Sequence, residues 1–209
     1  MLCCTPEDAA HLRARDKRLA AFMDLAGPLS RDVLTDPFAA LVHAVCGQQI
    51  SSKVHETLWA RLKERLSPVT PEHLAAFTVE DLRGLGLSRS KAACIRGAAE
   101  AGLSGEIDYA GLDRLDDDAV RAKLCSLKGI GPWSAEMLLI FCLRRPNVLS
   151  RGDFGIRRGL RMLYHKKELD DAFIDRCLKR WSPRATIASL YLWELASGNW
   201  PGYSDPAKP

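Results

Sequence analysis

The chain has 209 residues, of which 47% are hydrophobic and 27% charged, with a formal net charge of +4. That composition describes a soluble globular protein with an ample core, large enough for one domain or two lobes. The small positive excess permits an anionic partner without requiring one. No cationic-then-apolar leader and no apolar run of membrane length is present.

In chain order, Pro6 to Leu25 alternate charge with Ala and Leu at helical spacing, which predicts two helices broken near Asp16 and stopped by Gly27-Pro28. Asp36-Pro37 opens the next helix, the carboxylate as cap and the proline at the tolerated first position. Its buried stripe is Phe38, Leu41, Val42, Val45 and Cys46. Gly47 interrupts it, and another helix runs from about Ser51 to Leu66. Thr70-Pro71 opens a short helix, and Thr78 with Asp81 has capping-box spacing for a second. Ser88 begins a regular helix ending at Gly102, and residues 106–118 hold short turns. Val120, Leu124 and Leu127 have helical spacing, Arg144 to Gly152 form a loop, and helices over 153–164, 169–180 and 184–197 follow. Nothing alternates with period two, so the chain is expected to be all-α. The tail over 199–209, with Pro201, Gly202, Pro206 and Pro209, is expected to be loosely held.

Seven cysteines occur, an odd number without repeated spacing. Cys46, Cys94, Cys125, Cys142 and Cys177 sit in apolar helical patterns and read as core residues of a reducing compartment, which points to the cytoplasm or the nucleoid. Cys3 and Cys4 stand near the terminus, with nothing at metal-site spacing to pair with them. His43, His55 and His165 likewise lack partners at ligand spacing and read as packing or surface residues.

Two stretches carry chemistry. In LKGIGPWSAEMLLIF, Leu127 to Phe141, Gly129 and Gly131 bracket Ile130 just before a periodic run. The unit is helix, glycine hairpin, helix, and amides exposed at a helix start are suited to a phosphate. A glycine-containing turn also joins many packed helices that bind nothing. In RGDFGIRRGLRMLY, Asp153 stands between Gly152 and Gly155 at the head of a helix rich in arginine. Asp there is an ordinary N-cap, and it is also a fixed carboxylate able to stabilise a developing cation or orient water. The glycines leave room for something bulky near the backbone.

With GQQISSK (Gly47 to Lys53), LKGIGPWSAEM (Leu127 to Met137), the Gly152 to Gly155 loop and WSPRATIASLYLW (Trp181 to Trp193), the chain resembles the helix-hairpin-helix DNA glycosylase superfamily. Within it, the match is to the DNA-3-methyladenine glycosylase II branch. The resemblance covers roughly residues 16–198. It implies two helical lobes around a base-binding cleft, without the N-terminal β-rich domain of some larger relatives. The expected division is N-terminal helices over 1–35 packing on the C-terminal lobe, a lobe with wedge loop and hairpin over 36–145, and the Asp loop with C-terminal helices over 146–198.

The resemblance implies roles by position. Asp153 matches the catalytic aspartate. Gly129 and Gly131, with Lys128 where proline is common, match the turn that holds a DNA phosphate. Carbonyls of Cys125, Leu127 and Ile130 match those that hold a structural Na⁺ or K⁺. Gln49 falls where a residue wedges into the duplex, and Gln48 and Ser51 support that loop. Trp133 replaces the lysine of strand-cleaving members, so the resemblance implies a monofunctional enzyme with water as nucleophile. Trp133, Trp193 and Met137 fall in the base pocket. Glu136, three residues after Trp133, is open to a pocket role or a salt bridge.

The chain departs from the family at Trp181-Ser182-Pro183-Arg184-Ala185-Thr186, where Arg184 occupies an aromatic's place and alanine replaces the usual arginine. No cysteine follows Cys177, so the iron–sulfur signature of some members is missing. The implied partner is double-stranded DNA holding a damaged base, bound by a monomer. Alternatives are a non-enzymatic helix-hairpin-helix DNA-binding protein, or a glycosylase for mismatched or deaminated bases.

Overall fold

Short polar side chains start most of the helices, each accepting an otherwise unpaired amide of the first turn. The structure, a computed structural model, describes residues 1–198 and 200–207. Asn199, Lys208 and Pro209, part of the expected tail, lie outside the described residues. A two-residue strand β1 (Leu2–Cys3) pairs antiparallel with β2 (Ser30–Arg31), and the remaining elements are helical among the described residues. Thr5 and Asp8 form a capping box at α1 (Pro6–Arg15), and Asp16 caps α2 (Lys17–Ala26), so the expected break falls at that residue. Asp36 caps α3 (Pro37–Gly47), Ser51 α4 (Ser52–Leu66), Thr70 α5 (Pro71–Ala75), Thr78 α6 (Val79–Gly84) and Ser88 α7 (Arg89–Leu103). A 3₁₀ turn at Leu112–Arg114 precedes α8 (Asp117–Cys125), capped by Asp116, and α9 (Pro132–Phe141). Then come α10 (Phe154–Tyr164), capped by Asp153, α11 (Asp171–Trp181), capped by Asp170, and α12 (Ala185–Ser197).

These elements form two units, one of Leu34–Leu143 and one of Met1–Val33 with Arg144–Pro209. In the first, α9 packs on α3 and α8, while α7 packs on α3, α5 and α6. Leu138, Leu139 and Ile140 of α9 are fully buried, as is Leu41 of α3. Each contributes about 1.5–3 kcal/mol by leaving water.

In the second unit α12 is the central helix, with α10 and α2 against it, and α1 lies on α11. Asp16 joins these helices. Besides capping α2, it accepts Trp181 Nε1 at 3.0 Å and Arg180 Nη1 at 3.1 Å, together with the Tyr164 hydroxyl. Burial acts to raise its pKa, but the hydrogen bonds from Tyr164, Leu19, Arg180 and Trp181 prevail and hold the carboxyl below its ordinary value.

Two expectations need correction. The described part of the tail is anchored: Trp200 and Tyr203 lie edge-on to Phe22 at 5.2 and 5.4 Å, and buried Asp205 accepts Arg161 Nε at 2.9 Å and Nη2 at 2.7 Å. Proline and glycine content describes the backbone of such a segment and says nothing of its aromatic and ionic anchors. Cys46, Cys94, Cys142 and Cys177 are buried, but Cys125, the last residue of α8, is half-exposed. Burial pushes the Cys46 thiol up to about 12 and the Cys94 thiol up to about 11, so both stay protonated and inert.

Candidate functional site

Asp153 owes its position to a loop fastened on one side and a helix fastened on the other. Buried hydroxyls of α12 hold the loop: Thr186 Oγ1 donates to the Arg145 carbonyl at 2.6 Å and accepts Val148 N–H at 2.9 Å, and Ser189 Oγ donates to the Val148 carbonyl at 3.1 Å. The Asp153 carboxylate is 8% exposed. Its Oδ1 accepts the Ile156 amide at 2.8 Å, which caps α10, and the Trp193 indole N–H from α12, also at 2.8 Å.

Helix α10 can lie this close to α12 because two glycines one turn apart face it. A Cβ at Gly155 would sit 2.7 Å from Trp193 Cδ1, and one at Gly159 would sit 2.4 Å from the Leu192 carbonyl oxygen. The bulky group admitted by Gly155 is therefore the chain's own indole. A Cβ at Gly152 would meet nothing within 4 Å.

The arginines of this region are largely engaged inside the unit. Arg151 pairs with Asp175, Arg157 donates to the Leu169 carbonyl at 3.1 Å, and Arg158 and Arg161 converge on Asp205. Arg184 is paired with Asp8 at 2.9 Å. Phe154, the first residue of α10, is 73% exposed beside Asp153. In the sequence its only signal is that it stands off the buried stripe of Ile156, Leu160 and Leu163.

The other unit holds the hairpin. Leu127 and Ile130 are buried and close the turn, with Ile130 N–H donating to the Leu127 carbonyl at 3.1 Å. Between them Gly129 adopts φ +90°, and a Cβ there would press within 3.0 Å of Cys94 Cβ. Glycine is required here on both counts. Gly131 is under no such constraint: its φ of −110° suits any residue, and a Cβ would meet nothing within 4 Å. It occupies the N-cap position of α9 with no side-chain cap, beside the exposed Lys128.

Gln48 ties the preceding loop to this turn, its Nε2 donating to the Gly129 carbonyl at 3.1 Å and to Ser134 Oγ at 2.9 Å. Gln49 is exposed with φ +56°, a left-handed conformation that costs a residue other than glycine about 1 kcal/mol. Ser51 caps α4 at 3.5 Å. Gly47 is glycine because a Cβ would lie 2.7 Å from the His55 ring, which lies tilted against His43 at 4.2 Å between ring centres.

On α9, Trp133, Glu136 and Met137 are all half-buried. Glu136 Oε1 lies 4.0 Å from Arg121 Nε, so the ionic reading of this residue has a partner. The carbonyls of Cys125, Leu127 and Ile130 are hard oxygen donors of the type a monovalent cation takes, and the turn bond on Leu127 leaves that oxygen a second lone pair. They fit such an ion as a brace for the turn. The structure thus brings Asp153 together with Trp193, and Gln48 with the hairpin.

Residues 42–183, which contain the loop of Gln48, Gln49 and Ser51, the hairpin and Asp153, match the family described as HhH-GPD superfamily base excision DNA repair protein. The chain belongs to this superfamily. DNA-3-methyladenine glycosylase 1 of Schizosaccharomyces pombe is 30% identical over 207 residues, covering 95% of this chain and 90% of its own. The crystal structure of a DNA-3-methyladenine glycosidase from Bacillus halodurans superposes with a TM-score of 0.77 at 35% identity, over 92% of this chain and 90% of that one. The 3-methyladenine DNA glycosylase of S. pombe in complex with abasic DNA gives a TM-score of 0.86 at 29% identity, over 95% and 99%. No helix among the described residues is long and apolar enough to cross a membrane.

Proposed function

We propose that this superfamily member is a monofunctional DNA-3-methyladenine glycosylase, which flips an alkylated base out of duplex DNA and hydrolyses its bond to the sugar. The observation that carries the catalytic part is Asp153, a buried carboxylate held at the head of α10 by hydrogen bonds from the Ile156 amide and the Trp193 indole. The S. pombe and B. halodurans relatives are named for acting on 3-methyladenine, and one is seen with abasic DNA.

A base within the duplex is out of reach until it leaves the stack. Methylation at a ring nitrogen makes the base cationic, so it departs with the electron pair of the glycosidic bond as a neutral molecule and needs no strong general acid. Ordinary glycosides lack that advantage and call on two carboxylates. Here one suffices: Asp153 stabilises the positive charge that develops on the sugar while water adds to C1′ and gives up a proton, leaving an abasic site. Trp133 offers a ring to the electron-poor base, worth roughly 0.5–2 kcal/mol. It cannot form the Schiff base that strand cleavage requires. The carbonyls of Cys125, Leu127 and Ile130 would hold a monovalent ion that would stiffen the phosphate-holding turn, and Lys128 adds charge there.

The test is a duplex panel carrying 3-methyladenine, 7-methylguanine, hypoxanthine, uracil or 8-oxoguanine. Free 3-methyladenine and 7-methylguanine should be released fastest, with the strand intact and no covalent trapping by borohydride. Release of none of them contradicts the proposal, and efficient trapping would contradict its monofunctional part.

A further inference from the structure

The bond between Trp193 and Asp153 spans 40 residues of sequence and joins α12 to the head of α10. Three features converge on it. Oδ1 is held from two directions, by the Ile156 amide along α10 and by the indole N–H across from α12, each at 2.8 Å. Gly155 leaves the space that the indole edge fills, since a Cβ there would stand 2.7 Å from Cδ1 and 3.2 Å from Nε1. Gly159, one turn on, brings the two helices to backbone contact at Leu192, the residue next to Trp193.

A cap bond alone fixes one direction and leaves the carboxyl plane to turn about it. A second donor from a different helix removes that freedom, and electrostatic stabilisation depends on a charge already held where it is needed. We infer that Trp193 is a positioning residue for Asp153, acting through its indole N–H, and that residue 155 is glycine to admit that indole. This rests on the reading of Asp153 as the catalytic carboxylate. It differs from the stacking role expected of Trp193, which needs the face of the ring and not its N–H.

Trp193→Phe keeps an aromatic face and removes the donor. Under single-turnover conditions its maximal release rate should fall about tenfold, the scale of one hydrogen bond to a charged group. The fall should be alike for 7-methylguanine and hypoxanthine, with half-saturating enzyme concentration and melting temperature near wild type. Gly155→Ala should lose rate similarly by pushing the indole aside; the same clash strains the packing of α10 on α12, so its melting temperature is read alongside and Trp193→Phe carries the test of the donor itself. Because both act through one bond, the double variant should be little worse than the poorer single.

A Trp193→Phe enzyme within twofold of wild type overturns the inference. So does a loss confined to the cationic base, which is the mark of stacking, or losses that multiply in the double variant. Asp153→Asn run alongside separates the two failures. Wild-type release by Asp153→Asn would remove the reading of Asp153 itself, whereas an inactive Asp153→Asn beside a normal Trp193→Phe removes only this inference.

Discussion

Helices α9 and α10 begin in opposite ways. At α10, the chain supplies its own anion: Asp153 caps the Ile156 amide, and a tryptophan from α12 fixes the same oxygen. At α9, Gly131 offers no side-chain cap, and the space in front of its Cα is open. A helix start carries partial positive charge and unpaired amides in both cases. Where that charge is met internally, a carboxylate is immobilised for chemistry. Where it is left unmet beside Lys128, an external phosphate can complete it. On the proposed function, one physical device would serve a catalytic role in one unit and a DNA-holding role in the other.

Removing the internal anion should have the largest effect. Asp153→Ala loses charge and cap together, so base release should fall by at least ~10²-fold and stability by about 1 kcal/mol, read by single-turnover kinetics and urea unfolding. Converting α9 into a likeness of α10 comes next. Gly131→Asp fits the open space and the extended backbone, so stability should rise by roughly a few tenths of a kcal/mol. Duplex affinity should nevertheless fall by about tenfold for damaged and undamaged DNA alike, because the amides now face a carboxylate. Rising stability with unchanged binding would make the hairpin a purely structural turn. Lys128→Ala should be milder, a uniform loss with a salt slope smaller by about 1.

The smallest expected effect concerns acid. His43 in the hairpin's unit is pushed down from 6.5 to about 4 by burial, with His55 and Lys63 adding like charge. Between those values the unfolded chain binds a proton that the folded chain refuses, so this contribution to stability is lost as pH falls. Asp205 in the other unit is held at about 2 by the Arg161 hydrogen bond, from an ordinary 3.8, so its contribution survives until more acid pH. The melting temperature should therefore drop by a few degrees from pH 6.5 to pH 4, and His43→Gln should drop less. An equal drop in both would exclude His43 as the group responsible.

Whatever is local was legible. Caps at Asp36, Ser51, Thr70, Thr78, Ser88 and Asp153 rest on bonds to amides three residues ahead, and each starts the helix expected of it. Gly129 and Gly131 were legible as turn residues, but spacing does not reveal which of two glycines takes the positive φ, and it is Gly129. Long-range partners were hidden. Nothing near Trp193 announces Asp153, nothing in the arginines of α10 announces Asp205, and Asp16 reads as a helix break rather than the acceptor for Tyr164, Arg180 and Trp181. Such pairs depend on how helices meet, which one-dimensional spacing does not encode.

The measurement nearest the centre of this account is single-turnover release of 7-methylguanine by Asp153→Asn, with duplex affinity and melting followed on the same protein. Asparagine caps a helix as well as aspartate does and can still accept the Trp193 N–H, so the substitution removes charge while leaving the scaffold in place. Release slowed by at least ~10²-fold with binding and melting near wild type is the predicted result. Release within threefold of wild type would contradict the account and leave Asp153 as a helix cap.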